Sequence, residues 1–229
     1  MNEILFQIKK LWKSFMFKGE SIDVLKGIDL DIFAGDAIAI TGASGVGKST
    51  FLHILGALEK PTKGKVLYRG RNIFELSSDE LAKFRNQKIG FVFQFHYLLS
   101  EFTALENVML PALIAGWPKA KAKERAKDLL KEVGLSEEID RRPGELSGGE
   151  QQRIAIVRAL MLEPEIILAD EPTGNLDEVT AERVQMLLFS LHKKSQITLL
   201  VATHNLKFAA LFPICYELTG GKLKRRIFK

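Results

Sequence analysis

The chain is 229 residues long, 46% apolar and 27% charged, enough for one domain, or a domain with a subdomain, that removes roughly 70 to 75% of its unfolded surface from water. Thirty-three Lys and Arg against 28 Asp and Glu leave a net charge of +5, too mild and too interspersed to argue for a nucleic-acid partner.

The N-terminus, Met-Asn-Glu-Ile-Leu-Phe, lacks the basic region and cleavage site of a signal peptide. Residues 3–32 are β-rich, with extended runs at 4–8 and 24–32 and a turn at Ala34-Gly35. An apolar strand at 37–41 leads into a glycine-rich loop and a helix over 49–58. A further strand spans 89–93. Near residue 95 the texture turns helical. The longest apolar run, 108–117, is interrupted by Pro111 and falls short of the ~18 residues of a membrane span, so any step at a membrane needs another chain to cross it. In 119–133 the apolar positions Ala122, Ala126, Leu129, Leu130 and Val133 share one helical face. Strands at 165–169 and 197–202 flank a helix with the stripe Val184, Leu187, Leu188 and Leu191, a parallel βαβ unit. The single cysteine, Cys215, excludes an internal disulfide, suits a small buried residue and points to a reducing cytosolic compartment. Five basic side chains in 222–229 make a weakly basic tail. The expected fold class is α/β, one unit in which residues 1–94 and 163–229 form the core and about 95–162 a helical insertion.

Gly42-Ala-Ser-Gly-Val-Gly47-Lys48-Ser49 fits G-x-x-x-x-G-K-[ST] between a strand and a helix. Such a loop curls so that backbone N–H groups converge on one anion at a helix N-terminus. Gly42, Ala43, Ser44, Gly45, Gly47, Lys48, Ser49 and Thr50 are thus expected to hold a nucleotide, Lys48 on the β and γ phosphates and Ser49 on Mg²⁺. Ile166-Ile-Leu-Ala-Asp170-Glu171 ends a strand in two carboxylates. Asp170 suits the metal. Glu171, beyond what metal binding needs, suits the general base that polarises water for ATP hydrolysis.

Leu146-Ser147-Gly148-Gly149-Glu150-Gln151-Gln152-Arg153 begins a helix with a capping box, Ser147 to Glu150. Each first-turn glycine costs up to ~1 kcal/mol against alanine in a helix interior, which makes sense if something must approach the backbone closely. Serine hydroxyl, bare N–H groups and helix dipole together form a second phosphate site. The first loop already serves the chain's own nucleotide, so Ser147 and Gly149 are expected to serve that of another subunit.

The loop, this signature helix and Asp170-Glu171-Pro172-Thr173-Gly174-Asn175-Leu176-Asp177 together resemble the nucleotide-binding subunits of ABC transporters over essentially the whole chain. The resemblance implies a P-loop NTPase cassette with an N-terminal antiparallel β subdomain and an inserted helical subdomain. It implies ATP and Mg²⁺ as ligands, a homodimer closing head to tail over two ATP molecules, and permease partners in the membrane. By the same resemblance Gln94 senses magnesium and the attacking water, His204 contacts the γ phosphate, and Asn175-Leu176-Asp177 crosses the dimer seam. Phe15 takes the place of the adenine-stacking aromatic, often tyrosine in the family, with Trp12 and Phe17 as alternatives.

The 25 residues after His204 leave no room for the regulatory domain of many importer ATPases, and the chain has neither the second cassette nor the coiled coil of soluble relatives. Residues 93–108, Phe-Gln-Phe-His-Tyr-Leu-Leu-Ser-Glu-Phe-Thr-Ala-Leu-Glu-Asn-Val, look like the lipoprotein-releasing (LolD-like) ATPases, a group that includes the MacB-type efflux ATPases. Phe95, Tyr97 and Phe102 are either a permease-docking surface or the insertion's own core. The resemblance implies an ATPase lying on the cytoplasmic face of the inner membrane that powers lipoprotein release or MacB-type export. The alternatives are an FtsE-like subunit signalling to cell-wall hydrolases and a soluble regulator of nucleic acid. The absence of an aromatic-interleaved basic patch counts against the last and against any nucleic-acid partner.

Overall fold

The structure is a computed structural model and describes residues 3–228. Strands β1 (Ile4–Phe17) and β2 (Glu20–Phe33) form a long antiparallel hairpin. They extend well beyond the two apolar runs because register shifts, between Ile8 and Leu11 and again near Lys13, break the inside-outside alternation that marks a strand in sequence. Strands β4 (Lys63–Tyr68) and β5 (Arg71–Asn72) complete a four-stranded sheet in the order β2-β1-β4-β5, once β3 (Ala37–Thr41) and α1 (Lys48–Leu55) have left it for the core. Helix α1 stops three residues before the expected Leu58, closed by Gly56 and by Ala57 in the left-handed region.

Helix α2 (Ser78–Lys88), capped by a Ser77–Glu80 box, feeds β6 (Ile89–Phe93). The helical insertion holds α3 (Ala104–Ile114), α4 (Lys119–Glu132) and α5 (Gly148–Ala159). The apolar stripe of α4 is buried against α3 and α5, with Ala122, Ala126 and Leu130 fully enclosed. Between β6 and α3, the buried Asn107 side chain donates to the carbonyl oxygens of Leu99, Phe102 and Thr103 and accepts from the Leu99 N–H, which fixes the loop before α3.

Strand β7 (Ile166–Asp170), helix α6 (Glu178–Ser195), strand β8 (Thr198–Ala202), the short helix α7 (Leu206–Ala209), and strands β9 (Ile214–Thr219) and β10 (Lys222–Arg226) finish the chain. The second sheet has the order β10-β9-β3-β8-β7-β6, parallel except for β10. Its central strands β3, β7 and β8 are buried on both faces, as parallel sheets require, while the edge strand β10 is largely exposed. Ile38, Ile40, Ile166, Leu168 and Leu200 face α1 and the antiparallel sheet; Ala37, Ala39, Ile167, Leu199 and Val201 face the insertion, α6 and α7. The expected basic tail is therefore mostly a charged edge strand, which discourages further strand pairing. Cys215 is buried in β9 as expected, and burial pushes its thiol pKa up. Among the described residues no helix is long and apolar enough to cross a membrane.

Candidate functional site

The loop between β3 and α1 exposes Ala43, Ser44 and Gly45, while Gly47 and Lys48 are buried. Gly47 is the N-cap of α1 at φ 109°, where an added Cβ would stand 2.5 Å from Val24 Cγ1. No side chain caps this end, so the first-turn N–H groups are left for an anion. Lys48 lies back along the loop, its Nζ donating to the carbonyl oxygens of Gly42 and Ala43 at 3.0 and 3.1 Å. Ser49 is exposed at the rim and Thr50 half-buried in the same turn.

Strand β7 delivers Asp170 beside this helix. Burial pushes the Asp170 carboxyl above the ordinary carboxylate range, with the neighbouring Ser49 hydroxyl pulling the other way. Its Oδ1 is buried and has no hydrogen-bond partner. Among the described residues no three His, Cys, Asp or Glu side chains make a self-contained metal site. Ser49 and Asp170 instead give an open pair of oxygens of the kind that Mg²⁺ fills out with phosphates and water, so the residues present fit that ion.

Glu171 follows in the left-handed region, φ 45°, its N–H donating to the Ala202 carbonyl at the end of β8. This turn aims the carboxylate at the loop, where Oε1 lies 2.9 Å from His204 Nδ1 and 3.7 Å from Lys48 Nζ. Lys48, Glu171 and His204, far apart in sequence, thus form one cluster. Gln94, at the end of β6, is held by the segment after Glu171: its Nε2 donates to Asn175 Oδ1 at 2.8 Å, and Asn175 Nδ2 donates back to the Gln94 carbonyl at 3.2 Å.

The Ser147–Glu150 capping box is formed in full and Ser147 is exposed. The two glycines part company. Gly148 is open to solvent, whereas Gly149 is buried, and a Cβ there would meet Thr180 Cγ2 of α6 at 2.5 Å. Close packing against α6 thus gives Gly149 a reason within the chain, alongside the one expected from the signature helix, while Gly148 exposes its backbone.

Phe15 sits at the exposed end of the hairpin, opposite Ile22 and with Lys13 Nζ 4.6 Å from its ring centroid. The next part of β2 carries Val24, which touches Gly47, so Phe15 stands on the edge that leads to the loop. Of the alternatives, Trp12 packs over Gly27 and Phe17 lies at the hairpin tip beside Lys18. Phe95, Tyr97 and Phe102 are 66, 62 and 36% exposed, so the insertion does not use them as core.

Comparison with known proteins agrees with this architecture. The family described as ABC transporter matches residues 25–174. The chain is 51% identical over 219 residues to a lipoprotein-releasing system ATP-binding protein LolD of Syntrophus aciditrophicus, covering 96% of this chain and 98% of that protein. It is 47% identical to the LolD protein of Legionella pneumophila, covering 99% of this chain and all of that one. Among solved structures, a dimeric bacterial ABC transporter cassette superposes with a TM-score of 0.89 at 40% identity, covering 98% of this chain and 100% of that one. A post-hydrolysis cassette dimer bound to ADP and Pi has the same TM-score at 39% identity, with the same coverage. With the phosphate loop, the paired carboxylates and the signature helix all in place on this fold, the chain belongs to the ABC transporter family and is an ATP-hydrolysing cassette.

Proposed function

We propose that this chain is the ATPase subunit of a lipoprotein-releasing transporter, lying on the cytoplasmic face of the inner membrane against a permease of separate chains. The observation that carries this reading is similarity of about half the residues, end to end, to proteins named for that system. Two copies close head to tail, each loop of Gly42 to Thr50 facing the partner's Ser147 and the backbone of its first turn. That the two similar cassettes are dimeric, one of them bound to ADP and Pi, supports the pairing of two copies.

In this reading the loop N–H groups and Lys48 take the phosphates, and Phe15 stacks on the adenine. Ser49, Asp170 and Gln94 hold Mg²⁺, which neutralises phosphate charge when bound. Lys48 turns from the Gly42 and Ala43 carbonyls to the β and γ phosphates. His204 turns from Glu171 to the γ phosphate. Both moves release the Glu171 carboxylate to accept a proton from the attacking water. Phe95, Tyr97 and Phe102, next to Gln94, form the surface on which the permease presses.

Affinity purification of the tagged chain from membranes is the test. Recovery of a permease, with ATPase activity raised by lipoprotein, is the expected result. Recovery of division proteins and a cell-wall hydrolase activator in place of such a permease would overturn the transport assignment while leaving the ATPase in place.

A further inference from the structure

A groove of about 340 Å³ between β6 and α3 is lined by Leu58, Phe91, Phe93, Pro111 and Ile114, with two arginines in its wall, Arg85 of α2 and Arg158 of α5. Burial pulls the pKa of Arg158 down, and among the described residues no carboxylate pairs with it. Its Nη1 and Nη2 donate instead to the carbonyl oxygens of Tyr97 and His96, both at 2.6 Å. Those two residues are left-handed, φ 47° and 60°, a conformation that side chains rarely adopt and that here turns two successive carbonyls onto one cation. Arg158 is half-buried, and both terminal guanidinium nitrogens are spent on neutral carbonyl oxygens, so the side chain fixes this turn with no counter-charge in the pairing.

A second side chain of the same helix reaches the other end of this segment. Gln152, fully buried, donates from Nε2 to the Phe93 carbonyl at a long 3.5 Å. The Tyr97 ring packs edge-on against the Phe93 ring, centroids 5.1 Å apart. Helix α5 therefore holds the backbone at 93 and at 96–97, on both sides of Gln94, while its own N-terminus carries Ser147.

We propose that Arg158 is a positioning residue for ATP hydrolysis: by clamping the His96–Tyr97 turn to α5, it sets where Gln94 stands and makes movement of the Ser147 end of that helix felt at Gln94. The inference rests on the reading of Gln94 as a residue of the nucleotide site.

Steady-state ATPase kinetics on the purified chain test it, with Arg158→Met, Arg158→Lys, Gln94→Ala and the Arg158→Met/Gln94→Ala double variant compared alongside ATP affinity and melting temperature. Arg158→Met is expected to lower kcat about tenfold or more, with KM and ATP affinity within about twofold, because misplacement and not lost binding is the defect. Arg158→Lys, able to reach one carbonyl at a time, recovers part of the rate. The double variant is no slower than Gln94→Ala within about twofold, since both changes act on one element. A normal kcat for folded Arg158→Met beside an impaired Gln94→Ala, or losses that multiply in the double variant, would overturn the clamp alone. A normal kcat for Gln94→Ala would overturn the Gln94 reading and the clamp's route with it. Should Arg158→Met fail to fold, Arg158→Gln, which keeps one donor in place, is judged by the same criteria.

Discussion

Glu171 takes His204 on both carboxylate oxygens: Nδ1 lies 2.9 Å from Oε1, and the His204 backbone N–H donates to Oε2 at 3.2 Å. The carboxylate proposed as general base is thus already oriented, and its rest position is next to the residue expected to contact the γ phosphate.

Glu171→Gln preserves the shape of this contact and removes the base. Hydrolysis is expected to fall at least about 10²-fold, with ATP binding kept and a nucleotide-bound dimer accumulating. Gel filtration with ATP and Mg²⁺ checks this; a variant that binds ATP normally yet stays monomeric would contradict the head-to-tail dimer.

Ser147→Arg is expected to abolish hydrolysis with little effect on ATP affinity of the monomer, because in the proposed dimer the damaged residue serves the partner's nucleotide. Mixing it with Lys48→Ala chains puts both defects on one composite site and leaves the other whole. Partial activity should return in the mixture. Cross-linked mixed dimers that remain inactive would show that both sites must fire together or that the sites are not shared.

Phe95, Tyr97 and Phe102 are all exposed, but the Tyr97 ring also packs on Phe93, so Phe95 and Phe102 are the pair to change. Changing both to Ser is expected to cost up to about 5 kcal/mol, mostly at Phe102, which is only 36% exposed, so the melting temperature is measured alongside. The isolated ATPase should stay near normal while permease binding and stimulation are lost. Detergent pull-down and coupled ATPase assays decide it, and wild-type coupling in the folded double variant would remove this surface from the mechanism.

Glu165 joins three elements: Tyr68 Oη and Lys88 Nζ donate to its Oε1 at 2.6 and 2.8 Å, and Arg69 Nη2 donates to Oε2 at 2.7 Å. Burial pushes its carboxyl up, but the hydrogen bonds from Lys88, Tyr68 and Arg69 outweigh it and hold the pKa at about 2 against an ordinary 4.5. The Tyr68 hydroxyl is pushed up to about 12, by burial first and then by Glu165. A depressed carboxylate stabilises the fold above its unfolded pKa and loses that stabilisation as pH falls toward the folded value, at most about 3 kcal/mol here. The stability gap between wild type and Glu165→Gln should therefore be flat from pH 7 to 5 and shrink below pH 4.5. Urea titrations across that range measure it, and a gap that grew on acidification would reverse the sign.

The phosphate loop, the carboxylate pair Asp170-Glu171 and the Ser147–Glu150 cap were legible in the sequence because each depends on residues a few positions apart, where spacing alone dictates geometry. The stripe of α4 was legible for the same reason, since an apolar face repeats with the helix. The long β1–β2 hairpin was only partly so, its bulges having erased the period that marks a strand. What the tertiary structure alone decided are contacts between residues far apart in the chain: Gln94 with Asn175, Glu171 with Lys48 and His204, Glu165 with Tyr68 and Arg69, and Arg158 with the carbonyls of His96 and Tyr97. Their side chains are ordinary polar and charged types that would suit open surface equally well, and only the stacking of β6, β7, α1, α5 and the antiparallel sheet brings them within hydrogen-bond reach. Gly149 makes the same point in reverse: a loop or helix start tolerates a glycine for many reasons, and the approach of Thr180, 31 residues on, adds one that the sequence does not show.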